Sequence, residues 1–166
     1  MFELAVVGAK NSGKTTVIEG LVTHLTANGY RVATIKHTSH RHGFDTPGKD
    51  SYRHRRAGAA LTVAMSEEEI AVFSRPDSFD VEQFRLLNKD RFDIWLIEGY
   101  HLADHPKVLV TRRLEEFTDK TPKNIIASIG PDKFEESLPH FADADYESLG
   151  SFVIQVLNEK KSEISP

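Results

Sequence analysis

The residues with the clearest chemistry lie near the amino end, where Gly8-Ala9-Lys10-Asn11-Ser12-Gly13-Lys14-Thr15 fits the spacing G-x-x-x-x-G-K-S/T at every fixed position. Glycines in such a loop let successive backbone N–H groups turn inward on an anion, and the helix that follows adds the positive end of its dipole. Gly8, Asn11, Ser12 and Gly13 are then expected to cradle nucleotide phosphates, with Lys14 reaching the β- and γ-phosphates as a point charge. The Thr15 hydroxyl is placed to ligate Mg²⁺, and Thr16 to meet the α-phosphate. Lys10 is read as solvated or as a peripheral phosphate contact.

A metal held by phosphates also needs a protein carboxylate. Asp93-Ile94-Trp95-Leu96-Ile97-Glu98-Gly99 offers one at each end of an apolar strand. At about 3.3 Å per residue these acids stand about 16 Å apart. Ligands of open α/β sheets bind beyond the carboxyl ends of the strands, where the glycine loop also lies. Glu98 is therefore the expected metal-side acid and, with Lys14, the expected catalytic residue, while Asp93 enters the strand from the far end. Gly99 permits close backbone approach to the terminal phosphate.

Thr38 to Arg56 is too polar for a core and reads as a long functional loop. His37, His40, His42 and, further on, His54 match no zinc spacing and are read as solvated residues or phosphate contacts. Asp45, Lys49, Asp50, Ser51 and Arg53 suggest an anion-handling or switch loop. The guanine reader N-K-x-D is approached by Asn88-Lys89-Asp90-Arg91, but Arg91 stands where the acid is needed, and the segment precedes a strand instead of following one. Two loops do follow strands, Thr111-Arg112-Arg113 and Gly130-Pro131-Asp132. Arg112 and Asp132 are the base-side candidates, a carboxylate being what guanine N1 and N2 groups require.

The elements that must position these residues follow from apolar spacing. Phe2 to Val7 reads as a buried strand, and Val17, Ile18, Leu21, Val22 and Leu25 as a helix stopped by Asn28-Gly29. Gly20 inside that helix costs about 1 kcal/mol relative to Ala. Arg31 to Ile35 completes a βαβ unit. Ala60 to Met65 and Ile70 to Phe73 form a hairpin around Ser66-Glu67-Glu68-Glu69, and Val81, Phe84, Leu86 and Leu87 a short helix. Lys107 to Thr111 and Asn124 to Ile129 are strands, and Tyr146, Leu149, Phe152, Val153, Val156 and Leu157 mark a closing amphipathic helix. The expected fold class is α/β, a P-loop NTPase-type three-layer fold with a mostly parallel sheet flanked by helices and a β-hairpin excursion, in a single nucleotide-binding domain over residues 1–166.

Composition narrows the function. With 21 Lys+Arg against 25 Asp+Glu in 166 residues, the formal charge of −4 argues against a protein that blankets nucleic-acid phosphates. No cysteine is present, which excludes disulfides, iron–sulfur clusters and thiol catalysis. The amino end lacks a basic leader, and no run approaches the length of an apolar membrane span. A cytoplasmic protein, with neither nucleic acid nor membrane as partner, is expected.

Together with the loop Gly8 to Thr16, the segments Ile35-Lys36-His37-Thr38, Asp45-Thr46-Pro47-Gly48-Lys49-Asp50-Ser51 leading to Ala57-Gly58-Ala59, Ile97-Glu98-Gly99, Pro106-Lys107-Val108 and Ile126-Ala127 are distinctive. In these the chain resembles the molybdopterin-guanine dinucleotide biosynthesis adaptor family over nearly its whole length. Lys36-His37, the Pro-Gly-Lys-Asp-Ser run and Ala-Gly-Ala are the specific part; His101 stands where that family commonly has lysine. The resemblance implies a GTP-binding homodimer with weak Mg²⁺-dependent GTPase activity. Such a protein assists the nucleotidyltransferase that joins GMP to molybdopterin in molybdenum cofactor biosynthesis. It carries over Lys14, Thr15 and Glu98 as phosphate and Mg²⁺ residues, and Lys36, His37, Asp45 and Asp50 as loop residues facing the same cleft.

The residues alone leave a second class open, a small-molecule kinase using ATP or GTP with Arg53, Arg55 and Arg56 as its lid. The only glutamines, Gln83 and Gln155, fall on expected helices, so none is placed to orient an attacking water and slow turnover is expected. The apolar runs of the hairpin exceed what a surface ribbon needs and point to dimerisation.

Overall fold

Phe2–Val7 forms β1, an apolar strand buried on both faces, as a central strand of a parallel sheet must be. A computed structural model describes residues 1–38, 43–100, 103–117 and 122–164. Along the chain β1 is followed by α1 (Lys14–Ala27), β2 (Val32–Lys36), α2 (Asp50–Arg56), β3 (Leu61–Met65), β4 (Ile70–Ser74) and α3 (Val81–Leu87). Then come β5 (Ile94–Glu98), β6 (Lys107–Val110), β7 (Ile125–Ile129), β8 (His140–Phe141) and α4 (Tyr146–Ile164). The chain divides into two compact units, Met1–Thr38 with Lys89–Pro166, and Ser39–Asn88.

The first unit holds a parallel sheet in the order β2-β5-β1-β6-β7-β8, the α/β arrangement expected, with the strand order now defined. Val6 and Lys36 both pair in register with Glu98, so β1, β2 and β5 end level with one another. Leu4, Val6, Leu21, Leu25, Leu96, Val108, Leu149 and Val153 form the main core, where α1 and α4 meet one face of the sheet. A smaller cluster of Ala5, Val7, Ile97 and Leu109 lies apart from it, with Leu114 and Phe134 packed on it.

The two helices approach closely through a reciprocal pair of glycines. A Cβ on Gly20 of α1 would lie 2.4 Å from the Tyr146 ring of α4, and one on Gly150 of α4 would lie 2.4 Å from the His24 ring of α1. At the amino end of the sheet, Asp93 accepts from the Arg31 backbone N–H and guanidinium and from Lys161. Arg31 is the main reason its carboxyl is held well below the usual carboxylate range. Lys107, fully buried at the start of β6, donates to the carbonyl oxygens of Ala103, His105 (2.8 Å) and Lys123 (2.9 Å).

In the second unit β3 and β4 pair antiparallel, Val63 opposite Val72 and Met65 opposite Ile70. The tip is closed by Ser66, whose Oγ accepts from the N–H groups of Glu68 and Glu69. Phe73 faces the Arg55 guanidinium at 5.4 Å, and Arg55 in turn pairs with the buried Asp45. The carboxyl end of the segment read as a long loop is a helix, α2. Its sequence, Asp-Ser-Tyr-Arg-His-Arg-Arg, has no apolar stripe to announce it, but Asp50 in its first turn and arginines in its last suit the helix dipole. The two-residue β8 is likewise absent from any apolar pattern.

Candidate functional site

The cradle grows directly out of β1. Gly8 is required by space, since a Cβ there would lie 2.7 Å from Ser12 Oγ and 3.0 Å from the Val110 carbonyl oxygen. Asn11 (φ 60°) and Gly13 (φ 97°) take left-handed backbone angles that curl the loop before α1 begins. No acidic residue occupies the first turn of α1, so its N–H groups face an anion without a competing carboxylate on that turn. Lys14 lies back across the loop, its Nζ donating to the carbonyl oxygens of Gly8 (3.0 Å) and Ala9 (2.6 Å). Burial lowers the Lys14 pKa; Glu98 opposes that shift, and Lys36 adds to it.

At the carboxyl end of β5, the Thr15 hydroxyl on α1 donates to Glu98 Oε2 (3.1 Å), and Lys36 Nζ at the end of neighbouring β2 donates to Glu98 Oε1 (2.9 Å). The hydroxyl and carboxylate suit Mg²⁺, which takes one or two protein carboxylates and completes its shell with phosphate oxygens and water. The loop also fits a ligand in a second respect: Ser12 is 1 % exposed, and its Oγ has no hydrogen-bond partner among the described residues. A buried hydroxyl left in that state is costly unless something else bonds it.

Gly99 (φ 88°) follows, and a Cβ there would lie 2.9 Å from the His37 carbonyl oxygen. The His37 N–H donates to the Glu98 carbonyl oxygen (3.0 Å), and its ring stands 4.7 Å from that of Tyr100. Beyond Thr16 and Gly13 opens a cavity of about 120 Å³ that Arg112 also lines. Arg112 pairs there with Asp143, on the connection between β8 and α4.

Gly8, Asn11, Ser12, Gly13, Lys14, Thr15 and Thr16 are thus brought together with Glu98, Lys36 and His37 in one unit. Asp45 and Asp50 belong to the second unit, where Asp45 accepts from Ser51 and Arg55, and Asp50 from Arg53. Asp132 is exposed after β7 and does not line the cavity. His40, His42 and His101 fall outside the described residues. Among the described residues no group of three or more histidines or carboxylates converges as a metal ligand set. No helix among them is long and apolar enough to cross a membrane.

Sequence reasoning missed the Lys36–Glu98 ion pair, which depends on the register of β2 with β5, and it missed Asp143; Tyr146 it placed on the closing helix without a part in this cavity. Asp143 follows a strand of only two residues, too short to show an alternating pattern.

Comparison with known proteins agrees with this architecture. Residues 3–130 match the family described as "Molybdopterin guanine dinucleotide synthesis protein B". The chain is 32% identical over 166 residues to the molybdopterin-guanine dinucleotide biosynthesis adapter protein of Escherichia coli, with 95% of this chain and 94% of that protein covered. It is 34% identical over 128 residues to a probable adapter protein of the same description from Bacillus subtilis, covering 75% of this chain and 73% of that one. The crystal structure of Bacillus subtilis MobB superposes with a TM-score of 0.77 at 29% identity, over 93% of this chain and 97% of that one. A MobB homologue from Bacillus stearothermophilus does so at 0.69 and 25% identity, over 96% and 99% of the two chains. With the family match spanning more than half its length and a relative aligned almost end to end, the chain belongs to the molybdopterin guanine dinucleotide synthesis protein B (MobB) family.

Proposed function

We propose that the protein is a GTP-binding adaptor in the attachment of GMP to molybdopterin, working as a cytoplasmic homodimer beside the nucleotidyltransferase of molybdenum cofactor biosynthesis, within a single functional domain. The observation that carries the nucleotide reading is the Thr15 hydroxyl at the start of α1 meeting Glu98 at the end of β5, beside the glycine loop over which Lys14 lies. Thr15 and Glu98 would hold Mg²⁺, which supplies charge neutralisation of the phosphates when bound. The Gly8–Gly13 backbone orients the phosphate chain, and Lys14 and Lys36 add positive charge beside it. None of the elements that build the cradle carries a glutamine, so hydrolysis by the isolated protein is slow. The adaptor role is supported by the family and by the names its relatives bear. The dimer is supported by the exposed apolar face of the β3–β4 hairpin.

Calorimetry with non-hydrolysable GTP and ATP analogues and Mg²⁺ tests the reading. The wild type prefers GTP, and Lys14→Ala weakens binding by about 30-fold or more, as removal of one partner of a charge pair does. An ATP preference, with rapid phosphorylation of a small acceptor, would replace this reading with a kinase.

A further inference from the structure

The cavity next to the cradle has an unusual combination of walls. Ser12, Gly13 and Thr16 belong to the phosphate loop itself, so the cavity continues from the place of the α-phosphate. Val110 and Ile129 close it from the carboxyl ends of β6 and β7. At about 120 Å³ it is roomy enough for about four waters by liquid volume, or for a planar ring. Ser12, whose hydroxyl is buried without a partner among the described residues, lines this same cavity.

Its polar edge is a carboxylate paired with a guanidinium, Asp143 with Arg112, both about half exposed. Asp143 belongs to a turn fixed by Ala144, which holds a left-handed angle (φ 68°). Its neighbour Asp145 is already engaged, accepting from the Ser148 N–H at 3.1 Å as the cap of α4. Asp143 pairs with Arg112 through Oδ2. One lone-pair site is thereby used, and Oδ1 together with the second site of Oδ2 remains able to accept.

We propose that Asp143, oriented by Arg112, reads the base of a guanine nucleotide in this cavity; the assignment rests on the reading that a nucleoside triphosphate occupies the cradle. An ionised carboxylate only accepts hydrogen bonds. Guanine presents two adjacent donors, N1–H and the 2-amino group, whereas adenine presents the N1 lone pair at the corresponding place. A carboxylate therefore binds the first and repels the second. Asp143 is the specificity residue and Arg112 a positioning residue.

The test is calorimetric titration of the full chain with GTP, ATP and xanthosine triphosphate in Mg²⁺, comparing wild type, Asp143→Asn, Asp143→Ala and Asp132→Asn. In Asp143→Asn the amide oxygen still accepts from N1–H, while its N–H₂ can donate to the 2-oxo group of xanthine. GTP affinity falls at least about 10-fold, and xanthosine triphosphate becomes the preferred ligand. In Asp143→Ala the preference for GTP over ATP collapses because GTP binds more weakly while ATP, relieved of the repulsion, binds more tightly, an outcome that general misfolding cannot produce. An unaltered GTP preference in both Asp143 variants overturns the proposal, as does a switch to xanthosine triphosphate in Asp132→Asn. A wild type that binds no triphosphate overturns the underlying nucleotide reading and this assignment with it. A wild type that binds GTP while the Asp143 variants behave like it overturns this assignment alone.

Discussion

The six-stranded sheet and the two-stranded hairpin are both rich in aliphatic residues, and they use them in opposite ways. In β1 and β5 the apolar side chains are buried on both faces, with Leu4, Val6 and Leu96 fully sequestered. In the hairpin, Leu61, Val63, Met65, Ile70 and Val72 share one face, and Met65 and Ile70 are 73 % and 63 % exposed. Hydrophobic content is thus a poor guide to what a strand does. The first set holds the fold together, whereas the second contributes little to the isolated chain and becomes useful when another surface covers it.

The contrast can be tested by substitution. Leu96→Ala, in the buried set, lowers stability by about 2–5 kcal/mol, measured as a fall in the midpoint of urea unfolding. A Gly20→Ala change is a test of sign. Helix propensity alone predicts a gain of about 1 kcal/mol, whereas crowding against the Tyr146 ring predicts a loss of about 1–3 kcal/mol, and we expect the loss to win. Asp93→Asn lowers the melting temperature by about 2 to 4 °C at neutral pH, since Asp93 ties Arg31 and Lys161 to the sheet. Because its folded pKa lies below its unfolded one, that contribution is full above the ordinary value of 3.8 and is lost as pH falls beneath it, so the gap between variant and wild type closes in acid. The smallest effect on stability belongs to the hairpin. Val63→Lys shifts unfolding by no more than about 0.5 kcal/mol but weakens self-association at least about fivefold in sedimentation experiments. A large loss of monomer stability in that variant would erase the distinction between the two regions.

How much could be read beforehand depended on whether a feature is contiguous. The run from Gly8 to Thr16 is contiguous, so its strand–loop–helix setting and its left-handed turns at Asn11 and Gly13 were legible from its own spacing. The place of Glu98 at the carboxyl end of β5, opposite Asp93 at the other end, was legible from strand length and direction. Features that depend on neighbouring strands were not legible: the pairing of Lys36 with Glu98 needs the register of β2 with β5. Gly20 looked like a mild defect in a helix, because nothing local reveals that Tyr146, far along the chain, presses against it. The α2 helix has no apolar stripe and β8 has two residues, so neither produces a periodic signal.

Lys107 has a consequence for chemical labelling. Its ammonium is sealed at the amino end of the sheet by three carbonyl oxygens, and burial lowers its pKa. Acylating reagents attack only a neutral, accessible amine, and although the lowered pKa favours the neutral form, the enclosure denies access. Surface lysines such as Lys10 would be modified in the native protein, while Lys107 would be modified only when its part of the sheet opens, making its acylation a clock for the opening of that end of the sheet.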